Sequence, residues 1–118
     1  QNGLRQCESV IGVLLGFAQK NRGMTRVLIG DALVNEDEKL QVRINQLHER
    51  LEATLRQALR FAATQNAIAP DVDTAAQANL IMSWINGRWH QYAKSGFKRD
   101  PTELWARQWK QLMEGVLA

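Results

Sequence analysis

The side chains able to do covalent or metal chemistry are few and scattered. Histidine occurs at His48 and His90 only, and neither has a second His or Cys at ligand spacing, so no metal site is expected. The lone cysteine, Cys7, can form no disulfide within the chain and has no neighbouring His to activate it. It is expected to be an ordinary helix residue in a reducing cytoplasm. His48 stands beside Glu49 and Glu52 and is expected at the surface. The run Glu36-Asp37-Glu38 follows Asn35, an arrangement that suits a helix start, where exposed N–H groups carry partial positive charge. No phosphate-binding loop, G-x-S-x-G elbow or dinucleotide fingerprint is present. The expectation is of no catalytic residues, no cofactor and no enzyme.

Binding is what remains. Gly12 and Gly16 lie four apart beside Val13 and Phe17, and the strip ends at Lys20-Asn21-Arg22, a corner with positive charge and a free amide. Small residues let another backbone approach closely, so the strip could receive a peptide that is apolar along its length and acidic at its end. Spacing alone favours the plainer reading, core packing with a solvated corner. The net charge of +3 comes from residues 1–30, where Arg5, Lys20, Arg22 and Arg26 face Glu8 alone. Nucleic-acid-binding elements concentrate more cations than this, and a small acidic partner fits better.

The elements that must position these residues are helical. The 118 residues are one domain's worth, with 45% hydrophobic and 23% charged side chains, two Pro and eight Gly. No apolar run is long enough for a membrane span. Gln1 rather than Met opens the sequence, without a signal-peptide layout, so a longer chain upstream is expected. Leu4, Cys7, Val10, Ile11, Leu14, Leu15 and Ala18 mark one face of a helix from about Leu4 to Lys20. Gly23 reads as a stop, followed by a short helix Met24–Ile29 closed by Gly30, and a turn from Asp31 through Val34. The longest element runs to about Thr64 on Leu40, Ile44, Leu47, Leu51, Leu55, Ala58, Leu59 and Ala62. Past the Gln65–Asp71 loop, Asp73 caps a helix from Thr74 to about Ser95, ended by Gly96. Asp100-Pro101-Thr102-Glu103 reads as a capping box with Pro at the first helical position, opening a last helix to the C-terminus.

All four tryptophans fall in those last two helices, at Trp84, Trp89, Trp105 and Trp109, with Leu112 nearby. So much aromatic area exceeds what one small core needs, and it suits a two-fold interface built from this helix pair. The other reading is that the rings only fill the core of a monomer.

The stretch Leu14-Leu15-Gly16-Phe17, then Lys20-Asn21 and Gly23-Met24-Thr25-Arg26-Val27-Leu28, resembles the C-terminal domain of TetR-type regulators, and among them the SlmA-like nucleoid occlusion factors. The likeness continues through Arg43-Ile44-Asn45-Gln46-Leu47 and Leu55-Arg56-Gln57, fades over Phe61–Gln91, and returns at Ser95, Phe97-Lys98 and Pro101-Thr102. It implies an all-α TetR-type C-terminal helical bundle over residues 1–118, a homodimer closed through the last two helices, and DNA contact through an N-terminal helix-turn-helix domain outside this sequence. It further implies a cytoplasmic, nucleoid-associated protein whose dimer binds the C-terminal tail of the division protein FtsZ and so blocks septum formation over the chromosome. Carried over by position, the tail contacts fall on Val13, Gly16, Lys20 and Asn21. Val13 stands where Leu is usual, Lys20 where Arg is usual and Arg22 where Pro is common; Lys keeps the charge but not the planar fork. The alternative is a TetR-type repressor with a small-molecule inducer. A polar cavity between the first helix, the long helix and the Trp84-bearing helix would favour it. A core filled by Leu14, Leu47, Leu51 and Ile85 beside an open groove at Gly16 would favour tail binding.

Overall fold

The computed structural model describes residues 2–30 and 38–117, which form five helices. The first, α1 (Gly3–Lys20), starts where the Asn2 side chain accepts the Arg5 N–H at 2.8 Å. Its inward stripe is Gly3, Cys7, Ile11, Leu15 and Ala18. The chain breaks at Asn21, and α2 (Arg22–Leu28) begins at once. Gly23 therefore lies inside α2 and is not a stop. The break is secured instead by Thr25, whose buried hydroxyl donates at 3.0 Å to the Ala18 carbonyl, which also accepts the Asn21 N–H at 3.2 Å. Gly30, at φ +74°, ends the segment as its type suggests. The expected turn Asp31–Val34, and the expected helix start at Asn35-Glu36-Asp37, lie outside the described residues.

Helix α3 (Glu38–Thr64) is the long backbone of the fold, and α4 (Thr74–Lys94) opens with Asp73 accepting the Ala76 N–H at 3.0 Å. The core forms where α1, α3 and α4 meet: Ile11, Leu15, Leu55, Leu59, Ile81, Ile85 and Trp89 are all fully buried. Gly3 lets α1 lie directly on α3, because a Cβ there would collide with the Ala58 carbonyl oxygen and the Ala62 nitrogen. Leu47, expected in the core, is 38% exposed. Leu14 and Leu51 are half-buried at its edge, and only Ile85 of that expected set is wholly inside.

The capping box before the last helix does not form. Asp100 accepts from the Thr102 N–H at 2.8 Å and the Thr102 hydroxyl at 2.7 Å, and residues 101–104 make turns ending in Leu104 at φ +65°. These turns are held by Arg88 on α4. Its guanidinium, almost wholly buried, donates to the carbonyls of Asp100 at 3.0 Å, Pro101 at 3.4 Å and Glu103 at 3.1 Å. Those carbonyls are held in turns rather than in a helix. Helix α5 (Trp105–Met113) starts only afterwards and stops short of the C-terminus. Val116 and Leu117 are clamped to the α3–α4 loop by the Ala69 N–H to Val116 carbonyl bond at 2.9 Å and an Ile68–Leu117 bridge. Among the described residues, no helix is long and apolar enough to cross a membrane.

Candidate functional site

The outward side of α1 gathers the expected tail contacts. Positions 13, 16, 17 and 20 are three and four apart, so they share one face, opposite the buried stripe. Val13 is 68% exposed and Phe17 44%, and between them Gly16 has open space: nothing lies within 4 Å of where a Cβ would be. The strip ends at exposed Lys20 and Asn21. The Asn21 carboxamide is not free, because its Nδ2 donates to the Phe17 carbonyl at 2.8 Å. That bond closes the end of α1 and fixes the direction of the side chain. Gly12 and Gly16 do not form one stripe. Gly12 lies beneath Trp105, whose Nε1 is 4.0 Å from a Cβ placed there, and only Gly16 faces outward.

The back of this face is tied to the end of α4. Trp89 donates from Nε1 to the Leu14 carbonyl at 3.2 Å, and the Tyr92 hydroxyl donates to the Gln19 carbonyl at 2.8 Å. Gln19 Nε2 donates in turn to Asp100 Oδ2 at 2.6 Å. Burial pushes the Asp100 carboxyl upward, but hydrogen bonds from Thr102 and Gln19 and the Arg88 charge outweigh it, holding it below the usual carboxylate value.

The five residues expected at a subunit interface divide. Trp89 is 0% exposed, packed at a tilt against the His48 ring with centroids 5.8 Å apart, and has no surface to offer a partner. It belongs to the core of the single chain, because the line of α4 that carries Ile81 and Ile85 also carries position 89. Trp84, Trp105 and Trp109 are half-buried and form one seam between α4 and α5. Trp84 and Trp105 lie 5.6 Å apart, Trp105 and Trp109 also 5.6 Å, and Trp84 Nε1 donates to Gln108 Oε1 at 2.8 Å. Leu112 is half-buried on α5, and Leu80 on α4 and Leu104 before α5 remain exposed.

His48 is a further correction. It is half-buried rather than at the surface, and its buried Nε2 has no hydrogen-bond partner among the described residues. Burial holds its pKa below the ordinary value, with a backbone hydrogen bond to Leu28 working the other way. Cys7 is fully buried, and burial with the nearby Glu8 charge pushes its pKa to about 12, so the thiol stays protonated and unreactive. The space between α1, α3 and α4, where an inducer cavity would sit, is packed with the apolar core residues named above. A depression of about 500 Å³ lies elsewhere, between the first turns of α1 and the end of α5, at Leu4, Glu8, Trp109 and Met113. Among the described residues, no group of three His, Cys, Asp or Glu side chains could hold a metal.

Sequence reasoning missed Gly3, Arg88 and Gln77. Gln77 is buried and donates to the Leu112 carbonyl at 2.7 Å. A polar residue inside the apolar stripe of a helix was the one signal available for Arg88 and Gln77.

Residues 1–116 match the family described as the tetracyclin repressor-like C-terminal domain, SlmA-like. The chain is 41% identical over 117 residues to the nucleoid occlusion factor SlmA of Idiomarina loihiensis, covering 99% of this chain and 59% of that protein. It is 40% identical over 109 residues to the protein of the same name from Alteromonas mediterranea, covering 92% of this chain and 56% of the other. For that of a Marinomonas species the identity is 37% over 116 residues, with 98% and 59% covered. The chain thus spans less than two thirds of the length of these curated relatives.

Proposed function

This chain belongs to the SlmA-like family of tetracyclin repressor-like C-terminal domains, and from that premise we propose that it is the dimerisation and partner-binding domain of a nucleoid occlusion factor. Two copies close through α4 and α5, burying what remains exposed of Trp84, Trp105, Trp109 and Leu112. The outward side of α1 then holds the C-terminal tail of FtsZ, with Val13 and Gly16 taking its apolar part and Lys20 and Asn21 its carboxylates. The result is a block on septum formation over the chromosome, in a cytoplasmic, nucleoid-associated protein whose DNA contact is made by a helix-turn-helix domain. Nothing in this mechanism breaks or forms a covalent bond, and it needs no cofactor. The observation that carries the reading is the contrast between a packed interior and an open outer face at Gly16.

Titration of an FtsZ tail peptide against the dimeric domain tests it. Saturable binding is expected, with Lys20→Glu weakening it about tenfold or more through loss of a charge-assisted contact. Asn21→Ala should weaken it in the same direction, with circular dichroism confirming the fold. Absence of saturable association by a domain that sedimentation shows to be a dimer would overturn the tail reading. A monomer at high concentration would overturn the dimer.

A further inference from the structure

The sequence holds two basic stretches far apart, one around Lys20 and Arg22 and one around Lys98 and Arg99, and the fold brings them side by side. The Arg22 guanidinium lies over the Phe97 ring, 5.4 Å from its centre, and Phe97 packs edge-on against Tyr92 at 5.2 Å. With the Gln19–Asp100 and Tyr92–Gln19 bonds, this ties the α1–α2 junction to the end of α4 and the segment after it at three points. The turn after α4 is well fixed. The Phe97 N–H returns to the Tyr92 carbonyl at 2.8 Å and the Gly96 N–H to Ala93 at 3.2 Å, the double closure of a Schellman motif. Ser95 Oγ then accepts the N–H groups of Lys98 at 3.2 Å and Arg99 at 2.9 Å. Phe97 itself sits at φ +64°, a conformation costly for an aromatic residue, and its ring thereby lies under Arg22.

The charges on this surface are unevenly matched. Asp100 has both oxygens engaged, by Thr102 and Gln19, and Glu103 lies 3.4 Å from Arg88 and 3.2 Å from Arg99. Lys20 and Lys98 are exposed and have no ion pair among the described residues. A guanidinium stacked over a ring keeps its in-plane N–H groups available for a carboxylate.

We propose that the peptide-binding face continues past Asn21 onto the 96–99 turn, where Arg22 and Lys98, with Lys20 at the junction, form a second subsite for acidic residues flanking the tail segment held at Val13, Gly16, Lys20 and Asn21. This rests on the tail-binding reading and extends it. The occupant is a peptide rather than nucleic acid for two reasons. Three unmatched cations are too few for a phosphate track, and the patch is continuous with the apolar strip of Val13 and Phe17.

The test uses fluorescence anisotropy at low salt with three probes: the FtsZ tail peptide, and the same peptide carrying three added glutamates at one end or the other. One of the two extensions should bind the unaltered domain about tenfold more tightly than the plain peptide, with the gain fading as salt is raised. Lys98→Glu should abolish that gain while leaving the plain peptide within about twofold and the melting temperature unchanged, since Lys98 has no partner to lose. Arg22→Ala should reduce the gain in part. A gain that survives Lys98→Glu, or no gain from either extension, overturns the second subsite alone. Failure of all three peptides to bind overturns the tail reading and this subsite with it. Displacement of the extended peptide by an equimolar short DNA duplex would overturn the choice of peptide.

Discussion

Gly3 and Gly16 stand on the same helix and serve opposite purposes. At Gly3 the backbone of α1 lies against the backbone of α3, with no room for a methyl group, and its N–H donates to the Gln65 side chain at 2.7 Å. At Gly16 there is room to spare. The first glycine is required by the fold, and the second is tolerated by the fold at a cost in helix stability. A residue that costs stability without serving packing is the kind expected where something else must approach. On the proposed function the inner side of α1 belongs to structure and the outer side to a partner, and substitutions at the two glycines should separate these roles.

The largest effect is expected at Gly3. Gly3→Ala forces a methyl group into the Ala58 carbonyl oxygen and the Ala62 backbone, neither of which can swing away as a side chain would. Overpacking of this kind costs about 1–3 kcal/mol, and a backbone contact belongs at the upper end. Thermal unfolding should show a fall in Tm of several degrees. An unchanged Tm would mean that α1 and α3 are not in backbone contact.

Gly16→Ala should do the reverse. Alanine is better than glycine inside a helix by about 0.5–1 kcal/mol, and no neighbour opposes the added methyl. The variant should therefore melt at a higher temperature and bind the tail peptide more weakly. Opposite movement of stability and affinity is the signature of a site held open against the interest of the fold. If both rise together, Gly16 is not at the contact.

This pairing also shows what could be read from residue order. The helices were legible because their apolar residues recur at threes and fours, and Asp73 and Gly30 acted as their types predict. The outer strip was legible too, since Val13, Gly16, Phe17 and Lys20 must share a face once α1 is a helix. What escaped was any feature that depends on a residue distant in sequence. Gly3 is special only because Ala58 and Ala62 pass beneath it. In place of the apparent capping box at Asp100 stand turns whose carbonyls accept from Arg88, twelve residues earlier. Trp89 and Trp84 are five apart on one helix, and only the placement of α1 and α3 sends one inward and leaves the other at the seam with α5.

The smallest predicted effect sharpens the contrast from the inner side. His48 packs on Trp89, and Trp89 in turn donates to the Leu14 carbonyl, so the imidazole is one ring away from the buried side of α1. Burial holds the folded-state pKa of His48 below its ordinary 6.5. The unfolded chain therefore takes up this proton first as pH falls. The histidine costs no stability above about pH 6.5, and stability is lost as pH drops from there through the lower, folded value. His48→Phe can keep a ring against Trp89 while removing both the titration and the unpartnered Nε2. Urea unfolding at pH 7 and at pH 5 should show a shallower loss on the acid side for the variant than for the unaltered chain. Equal losses in the two proteins would place His48 in solvent and detach it from the core. Tail binding at pH 7 should be the same in both, because Val13, Gly16 and Lys20 face away from that core. A change in affinity there would show that the two sides of α1 are not independent.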